Sequence, residues 1–103
     1  MRRVQLKRYV VITLKGIEFA EKWYAVRQIP PRLTRLYQLL LGLIWMRGTG
    51  TVPAKRVEDE TSVVSVASSR GYVKIYERPV RPSEAIQKKA LEMIGEAPRW
   101  IYA

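Results

Sequence analysis

The chain has few side chains that could do acid–base or nucleophilic chemistry. Its 103 residues include no His and no Cys, so the usual general base, the usual metal ligands and every Ser–His or Cys–His arrangement are absent. The densest group of carboxylates is Glu58, Asp59 and Glu60, and a consecutive run of this kind is typical of a solvated loop rather than of a catalytic pair in a pocket. We therefore expect no enzyme activity and no cofactor.

Basic side chains dominate instead, and they are unevenly distributed. The formal net charge is +10, from 19 basic and 9 acidic residues. Residues 1–56 carry 12 Lys and Arg against Glu18 and Glu21, so this part alone has a charge of 12 − 2 = +10. Residues 57–103 carry 7 basic and 7 acidic side chains, which cancel. A field this positive attracts polyanions and releases counterions from phosphates, which favours nucleic acid as the partner.

One short stretch, YVKIYER at residues 72–78, places aromatic rings between cations. In a strand, Val73 and Ile75 would point into the core because side chains alternate. The side chains between them would share one exposed face: Tyr72, Lys74, Tyr76 and Arg78. Such a row offers stacking surfaces and phosphate contacts to unstacked bases. Strand propensity alone also places Tyr on exposed strands, so the pattern does not by itself require a ligand.

The structure around that face depends on whether the preceding residues, SVVSVASSRG at 62–71, form a strand or a helix. Three Val and four Ser in residues 62–69 are poor helix formers, and the space from Gly50 to Gly71 is short for two helices and a turn. Val64 and Val66 would share a strand face, and residues 68–71 would form a loop with Gly71 at positive φ. We therefore predict an antiparallel hairpin over residues 62–78.

The helical alternative resembles a winged-helix domain over residues 33–79. A buried helix, a turn and the segment Arg70-Gly71-Tyr72-Val73 carry this resemblance. It implies a DNA-binding protein with a recognition helix in the major groove and a wing after it. The residues that would then contact DNA are Ser65, Ser68, Ser69 and Arg70 on the helix, with Lys74 and Arg78 on the wing.

A second segment resembles part of an archaeal and eukaryotic large-subunit ribosomal protein family. It runs from Ile44 to Gly48 and continues with Pro53, Arg56 and Val57. The likeness covers this segment alone, and the spacing from the first strand is shorter here. It implies a small basic α+β protein of a ribonucleoprotein.

The remaining pattern predicts a small single-domain α+β fold, with the order strand–helix–helix followed by an antiparallel β-hairpin and a C-terminal helix. A Leu-rich central helix should pack on the sheet. The predicted elements are a strand over Val4 to Leu14, helices over Ile17 to Gln28 and Arg32 to Arg47, an extended segment over Val52 to Glu60, and a last helix capped by Ser83. Residues 1–82 would form the basic core, and residues 83–103 would add the C-terminal helix and an apolar tail of the same domain.

These observations predict a non-catalytic nucleic-acid-binding protein, with RNA in a ribonucleoprotein such as the ribosome favoured over DNA. The expected phosphate contacts come from Arg2, Arg3, Lys7, Arg8, Arg32, Arg35, Lys55, Arg56 and Arg70. The strand face would add Tyr72, Lys74, Tyr76 and Arg78. Two alternatives stay open: a winged-helix-like DNA-binding protein, cellular or viral, and a protein–protein adaptor that uses the C-terminal helix and residues 100–102. The oligomeric state also stays open.

The sequence also predicts a cytoplasmic protein without a membrane partner. The most apolar stretch, Leu39 to Met46, is far shorter than the roughly 20 residues that span a bilayer. Lys7 and Arg8 interrupt the first apolar run, which is unlike a signal peptide. The chain also lacks Cys, His and Asn, and this composition favours a thermophilic source.

Overall fold

The computed structural model describes residues 7–26 and 28–96, with the side chain of Glu96 excepted. The predicted contacts of Arg2 and Arg3 and the apolar tail therefore lie outside the described residues. The elements, in chain order, are β1 (Lys7–Ile12), α1 (Leu14–Val26), α2 (Pro31–Trp45), β2 (Thr49–Pro53), α3 (Ala54–Glu58), α4 (Val63–Ser69), β3 (Val73–Tyr76) and α5 (Glu84–Glu96). The predicted α+β class is confirmed.

The three strands form one antiparallel sheet in the order β2-β1-β3. The first strand is therefore the central one, and Val10 pairs with Gly50 on one side and with Ile75 on the other. Val10 and Ile12 are fully buried because the helices cover their face of the sheet. These two core side chains lie two residues apart, as the pleat requires, and Val11 between them is also buried.

Helix α2 is the Leu-rich helix that the sequence predicts at the centre of the core. It begins at Pro31, where a missing N–H costs nothing, and it contacts α1, α4, α5 and the sheet. Leu36, Leu40 and Ile44 follow helical spacing and are almost fully buried. The helix ends where the Gly48 N–H donates to the Leu43 carbonyl at 2.7 Å, with Gly48 at a φ of +103°.

The predicted hairpin over residues 62–78 is wrong, because residues 63–69 form helix α4. The Ser62 hydroxyl accepts a hydrogen bond from the Ser65 N–H at 3.1 Å and caps the first turn. Val64 and Ala67, three residues apart, are buried on one face. Capping and burial together outweigh the weak helix propensity of Val and Ser, which counts for only a few tenths of a kcal/mol per residue.

Helix α4 ends at a tight turn, after which the chain enters β3. The Tyr72 N–H donates to the Ala67 carbonyl at 2.9 Å and the Gly71 N–H to the Ser68 carbonyl at 3.0 Å, with Gly71 at a φ of +78°. This pair of bonds is the Schellman ending of a helix, which needs a residue that tolerates positive φ. Strand β3 then pairs with β1, which lies more than 60 residues earlier in the chain, and not with residues 62–70.

Residues 52–60 also differ from the prediction. The extended segment stops at Pro53, and Ala54–Glu58 forms the short helix α3. Two helices and a turn thus fit between Gly50 and Gly71, in the order that the winged-helix resemblance implies. The departure is at the wing: within the described residues no second strand follows β3, and β1 occupies the position beside it.

Helix α5 has the predicted cap, since the Ser83 hydroxyl accepts from the Ile86 N–H at 3.3 Å. It packs on α1 and α2 through Ala90 and Met93, which are 0% and 5% exposed. Among residues 7–26 and 28–96, no helix is both long and apolar enough to cross a membrane.

Candidate nucleic-acid interface

Helix α4 presents a small hydroxyl-bearing face to solvent. With Val64 and Ala67 turned into the core, Ser65 and Ser69 lie one turn apart on another side of the helix. Ser69 is exposed, while Ser65 and Ser68 are half-buried. Small side chains of this kind leave the helix backbone free to approach a surface closely. Hydroxyls can also both donate and accept hydrogen bonds.

The turn that precedes α4 is held by Asp59, an exposed member of the acidic run Glu58, Asp59 and Glu60. The Asp59 carboxylate accepts hydrogen bonds from the Thr61 hydroxyl at 2.8 Å and the Thr61 N–H at 3.0 Å. These bonds hold the pKa of Asp59 below its ordinary value of 3.8. Asp59-x-Thr61-Ser62 is therefore a turn followed by a helix cap, and this local pattern could have predicted α4.

Four cations collect at one end of the sheet. Lys7 pairs in register with Pro53, which leads directly into Lys55 and Arg56 on α3. Tyr9 pairs with Tyr76, so Arg78 follows β3 at the same end of the sheet. We call Lys7, Lys55, Arg56 and Arg78 the basic sheet end. All four side chains are exposed.

Arg8 is nearby but is partly neutralised. Its guanidinium lies 2.7 Å from the Glu77 carboxylate, with the Arg8 side chain 26% exposed and that of Glu77 81% exposed. An ion pair this exposed contributes little to stability, about 0–1 kcal/mol. It does offset one positive charge beside the basic sheet end. Arg8 is therefore a weaker candidate for a phosphate contact than its neighbours.

The predicted row of Tyr72, Lys74, Tyr76 and Arg78 does not form. Tyr72 precedes β3, and its ring packs on Phe19 with a centroid distance of 4.7 Å. The Lys15 Nζ lies over the same ring, 5.8 Å from its centroid. Tyr72 is thus a packing residue, which leaves Lys74 and Tyr76 as the part of the row on β3.

The outer face of the sheet is also partly covered by the chain that leads to α5. Pro79 and Val80 line a small cavity together with Tyr9 and Thr51. Arg81 and Pro82 line a second cavity with Lys74 and Tyr76. An open platform for several stacked bases is therefore not present on this face of the described residues.

Three predicted phosphate contacts meet elsewhere, in a groove between α2 and α4. Arg32 and Arg35 enter it from α2, and Arg70 enters it from the end of α4. The groove has a volume of about 620 Å³. We call it the arginine groove, and its other lining residues are Phe19, Leu33, Leu36, Asp59, Thr61, Ser62, Val63 and Val66. Sequence reasoning named the three cations but could not place them together, because α2 and α4 are far apart in the chain.

The described residues show no group of His, Cys, Asp or Glu that could hold a metal ion. The chain matches no protein-family model, no curated protein and no solved structure.

Proposed function

We propose that this protein is a non-catalytic nucleic-acid-binding protein that binds duplex DNA through α4. The observation that carries the proposal is the arrangement of α3, a hydrogen-bonded turn and a capped α4. This is the order of a helix-turn-helix unit, whose second helix enters the major groove. Its exposed Ser face is the part of α4 that neither the core nor the arginine groove occupies.

An α-helix fits the major groove, which is about 12 Å wide. Ser hydroxyls on α4 can bond to either donors or acceptors on base edges, and they add little bulk between the helix and the bases. Ser65 and Ser69 are the base-contacting residues of the proposal. Such short polar contacts give modest sequence discrimination, so most of the affinity must come from phosphates.

The basic sheet end supplies those phosphate contacts. Lys55 and Arg56 lie on α3, which leads through the turn to α4, and Lys7 lies at the adjoining sheet end. Arg78 occupies the side where a wing would follow β3. Phosphate contacts from cations near a groove-binding helix fix its register on the duplex without reading sequence. The net charge of +10 supports the same assignment, because it favours strong, salt-dependent binding.

RNA binding in a ribonucleoprotein is the second candidate. Exposed Lys74 beside half-buried Tyr76 on β3 supports it, since a ring and a cation together can hold one unstacked base and its phosphate. The loss of Tyr72 to core packing weakens this candidate. The charge distribution serves both candidates equally.

Fluorescence anisotropy with labelled duplex DNA, duplex RNA and single-stranded RNA, each at low and high salt, tests the proposal. We expect the tightest binding to duplex DNA. Ser69→Glu should weaken it at least about tenfold, because it places a carboxylate against phosphates. Ala85→Glu, the same charge change at an exposed position of α5, is the matched control and should have little effect.

Three other binding results would contradict the proposal that α4 binds duplex DNA. Preference for single-stranded RNA, lost in Tyr76→Ala and kept in Ser69→Glu, would favour the second candidate. Equal effects of Ser69→Glu and Ala85→Glu would show that α4 has no special role. Absence of binding to all three ligands would contradict both candidates.

A further inference from the structure

The arginine groove has a charge that the described residues do not satisfy. Among residues 7–26 and 28–96, no side-chain hydrogen bond and no ion pair engages Arg32, Arg35 or Arg70. The one carboxylate in the lining, Asp59, is already occupied by two hydrogen bonds from Thr61. With Asp59 ionised, the lining carries 3 − 1 = +2 charges. Three arginine side chains from two helices therefore line the same open space.

The floor of the groove is apolar. Leu36 is 3% exposed at its base, and the half-buried side chains around it are Phe19, Leu33, Val63 and Val66. Small-molecule sites are concave, enclose roughly 300–1,000 Å³ and combine an apolar lining with a few polar groups. The groove, at about 620 Å³, has this size and this composition.

We propose that the arginine groove binds a small organic anion that has an acidic head and an apolar body. The guanidinium groups hold the carboxylate, sulfonate or phosphate head through charge-assisted hydrogen bonds. The apolar body covers Leu33, Val63 and Val66. A nucleic-acid backbone offers charge but no apolar body, so it would leave this floor unused, and the combination of features favours the small anion.

The groove lies on a different side of α4 from the Ser face. Val63, Val66 and Arg70 follow one helical face, and Ser65 and Ser69 are roughly a third of a turn away. A bound anion therefore contacts α4 directly without occupying its outer face. If α4 binds DNA as proposed above, the anion and DNA affect each other's affinity, and that coupling is reciprocal. This last step rests on the proposed function; the site itself does not.

The site is tested with 1-anilinonaphthalene-8-sulfonate, a fluorescent anion with an apolar body, titrated into the folded protein. We expect saturable binding at one site with an increase in fluorescence. The triple variant Arg32→Gln, Arg35→Gln, Arg70→Gln should weaken it at least about tenfold. Circular dichroism shows whether that variant keeps the fold, and the three side chains are exposed, so we expect that it does.

Two controls separate the groove from general attraction to a basic surface. The variant Arg47→Gln, Arg81→Gln, Lys88→Gln removes the same three charges at exposed positions outside the groove. It should bind the dye like the unchanged protein. N-phenyl-1-naphthylamine, which has the rings but no charge, should bind much more weakly. Equal losses in the two triple variants, or equal binding of the two dyes, would overturn the proposal.

A third experiment measures how the affinity for duplex DNA depends on salt in the groove triple variant. The slope of log affinity against log salt counts the phosphates that a protein neutralises. If the groove triple variant keeps the slope of the unchanged protein, the groove lies outside the DNA footprint, as proposed. A slope reduced by about one for each arginine removed would assign the groove to the DNA backbone and overturn it. Arginine-dependent dye binding in a protein that binds no DNA would support the site and contradict the proposed function.

Discussion

Helix α4 and strand β3 are neighbours in the chain, yet different forces determine them. Strand β3, VKIY, is rich in residues that favour strands, and its burial alternates from Val73 through Lys74 to Ile75. Helix α4, VVSVASS, consists of poor helix formers and exists because Ser62 caps it and because Val64 and Ala67 reach the core. Local propensity therefore predicts the first element correctly and the second wrongly. A short helix can be specified by its ends and one buried face.

The junction between the two elements is expected to be the most sensitive point. Gly16 of α1 lies against it, and a Cβ there would overlap the Tyr72 carbonyl oxygen and stand 2.8 Å from Ile12 Cγ1. That carbonyl is fixed because it accepts from the Thr13 N–H at 2.9 Å. Gly16→Ala should lower the free energy of unfolding by about 3 kcal/mol, measured by urea denaturation.

Gly42→Ala is the matched control for that change. A Cβ at Gly42, inside α2, would meet nothing within 4 Å. Ala is a better helix former than Gly by about 1 kcal/mol, so this variant should be more stable than the parent. If both variants behaved alike, the close approach of α1 to Tyr72 would have no energetic role.

Truncating one buried Val in each element sharpens the comparison. Val73→Ala in β3 and Val64→Ala in α4 remove the same two methyl groups from side chains 2% and 3% exposed. Ala favours a helix and disfavours a strand, so we expect losses of about 3 kcal/mol for Val73→Ala and about 2 kcal/mol for Val64→Ala. Urea denaturation of both variants measures the difference. A larger loss for Val64→Ala would mean that packing, and not propensity, separates the two sites.

Removal of the helix cap should have a smaller effect. Ser62→Ala leaves the Ser65 N–H without its acceptor, and the expected loss is about 1 kcal/mol. Ser69→Ala, at the exposed far end of the same helix, should be neutral or slightly stabilising because it removes no hydrogen bond that the structure shows. Thermal unfolding of the two variants gives the comparison, and equal shifts in Tm would argue against capping.

The smallest expected effect is a dependence on pH. Because hydrogen bonds from Thr61 lower the pKa of Asp59 in the folded state, its contribution is present above the unfolded pKa of about 4 and is lost as pH falls through the folded value. The stability difference between the parent and Asp59→Ala should therefore be constant near neutral pH and shrink below about pH 4. Tm measured across this range tests the sign, and a difference that grew in acid would contradict the turn geometry.

The parts of the fold that the sequence predicts are those with a complete local signal. Helix α2 shows sustained helical spacing, and α5 shows a cap at Ser83 followed by apolar positions on one face. The α4 prediction failed because it rested on composition, whereas the turn at Asp59 and the cap at Ser62 determine where the helix begins. The partner of β3 could not be predicted at all, since Val10 and Ile75 are 65 residues apart in the chain.

The candidate sites also combine features that the local sequence predicts with features that depend on tertiary packing. The cations were predictable from composition, and the structure places Lys7, Lys55, Arg56 and Arg78 at one sheet end. Their separation from Arg32, Arg35 and Arg70 depends on how α2 and α4 pack, which no local pattern encodes. Tyr72 was predicted as a ligand contact because alternation was extended one residue beyond the strand, whereas Phe19 holds its ring.

The central position of β1 has a consequence for how the chain acquires its structure during synthesis. Val10 leaves the ribosome before either of its partners, Gly50 and Ile75, which follow 40 and 65 residues later. Its backbone groups have no sheet partner until those residues emerge, and pairings this distant in sequence form slowly. Helix α2 can form earlier from local hydrogen bonds. We therefore expect the helices to assemble first and the sheet to form last, when β2 and β3 pair with β1.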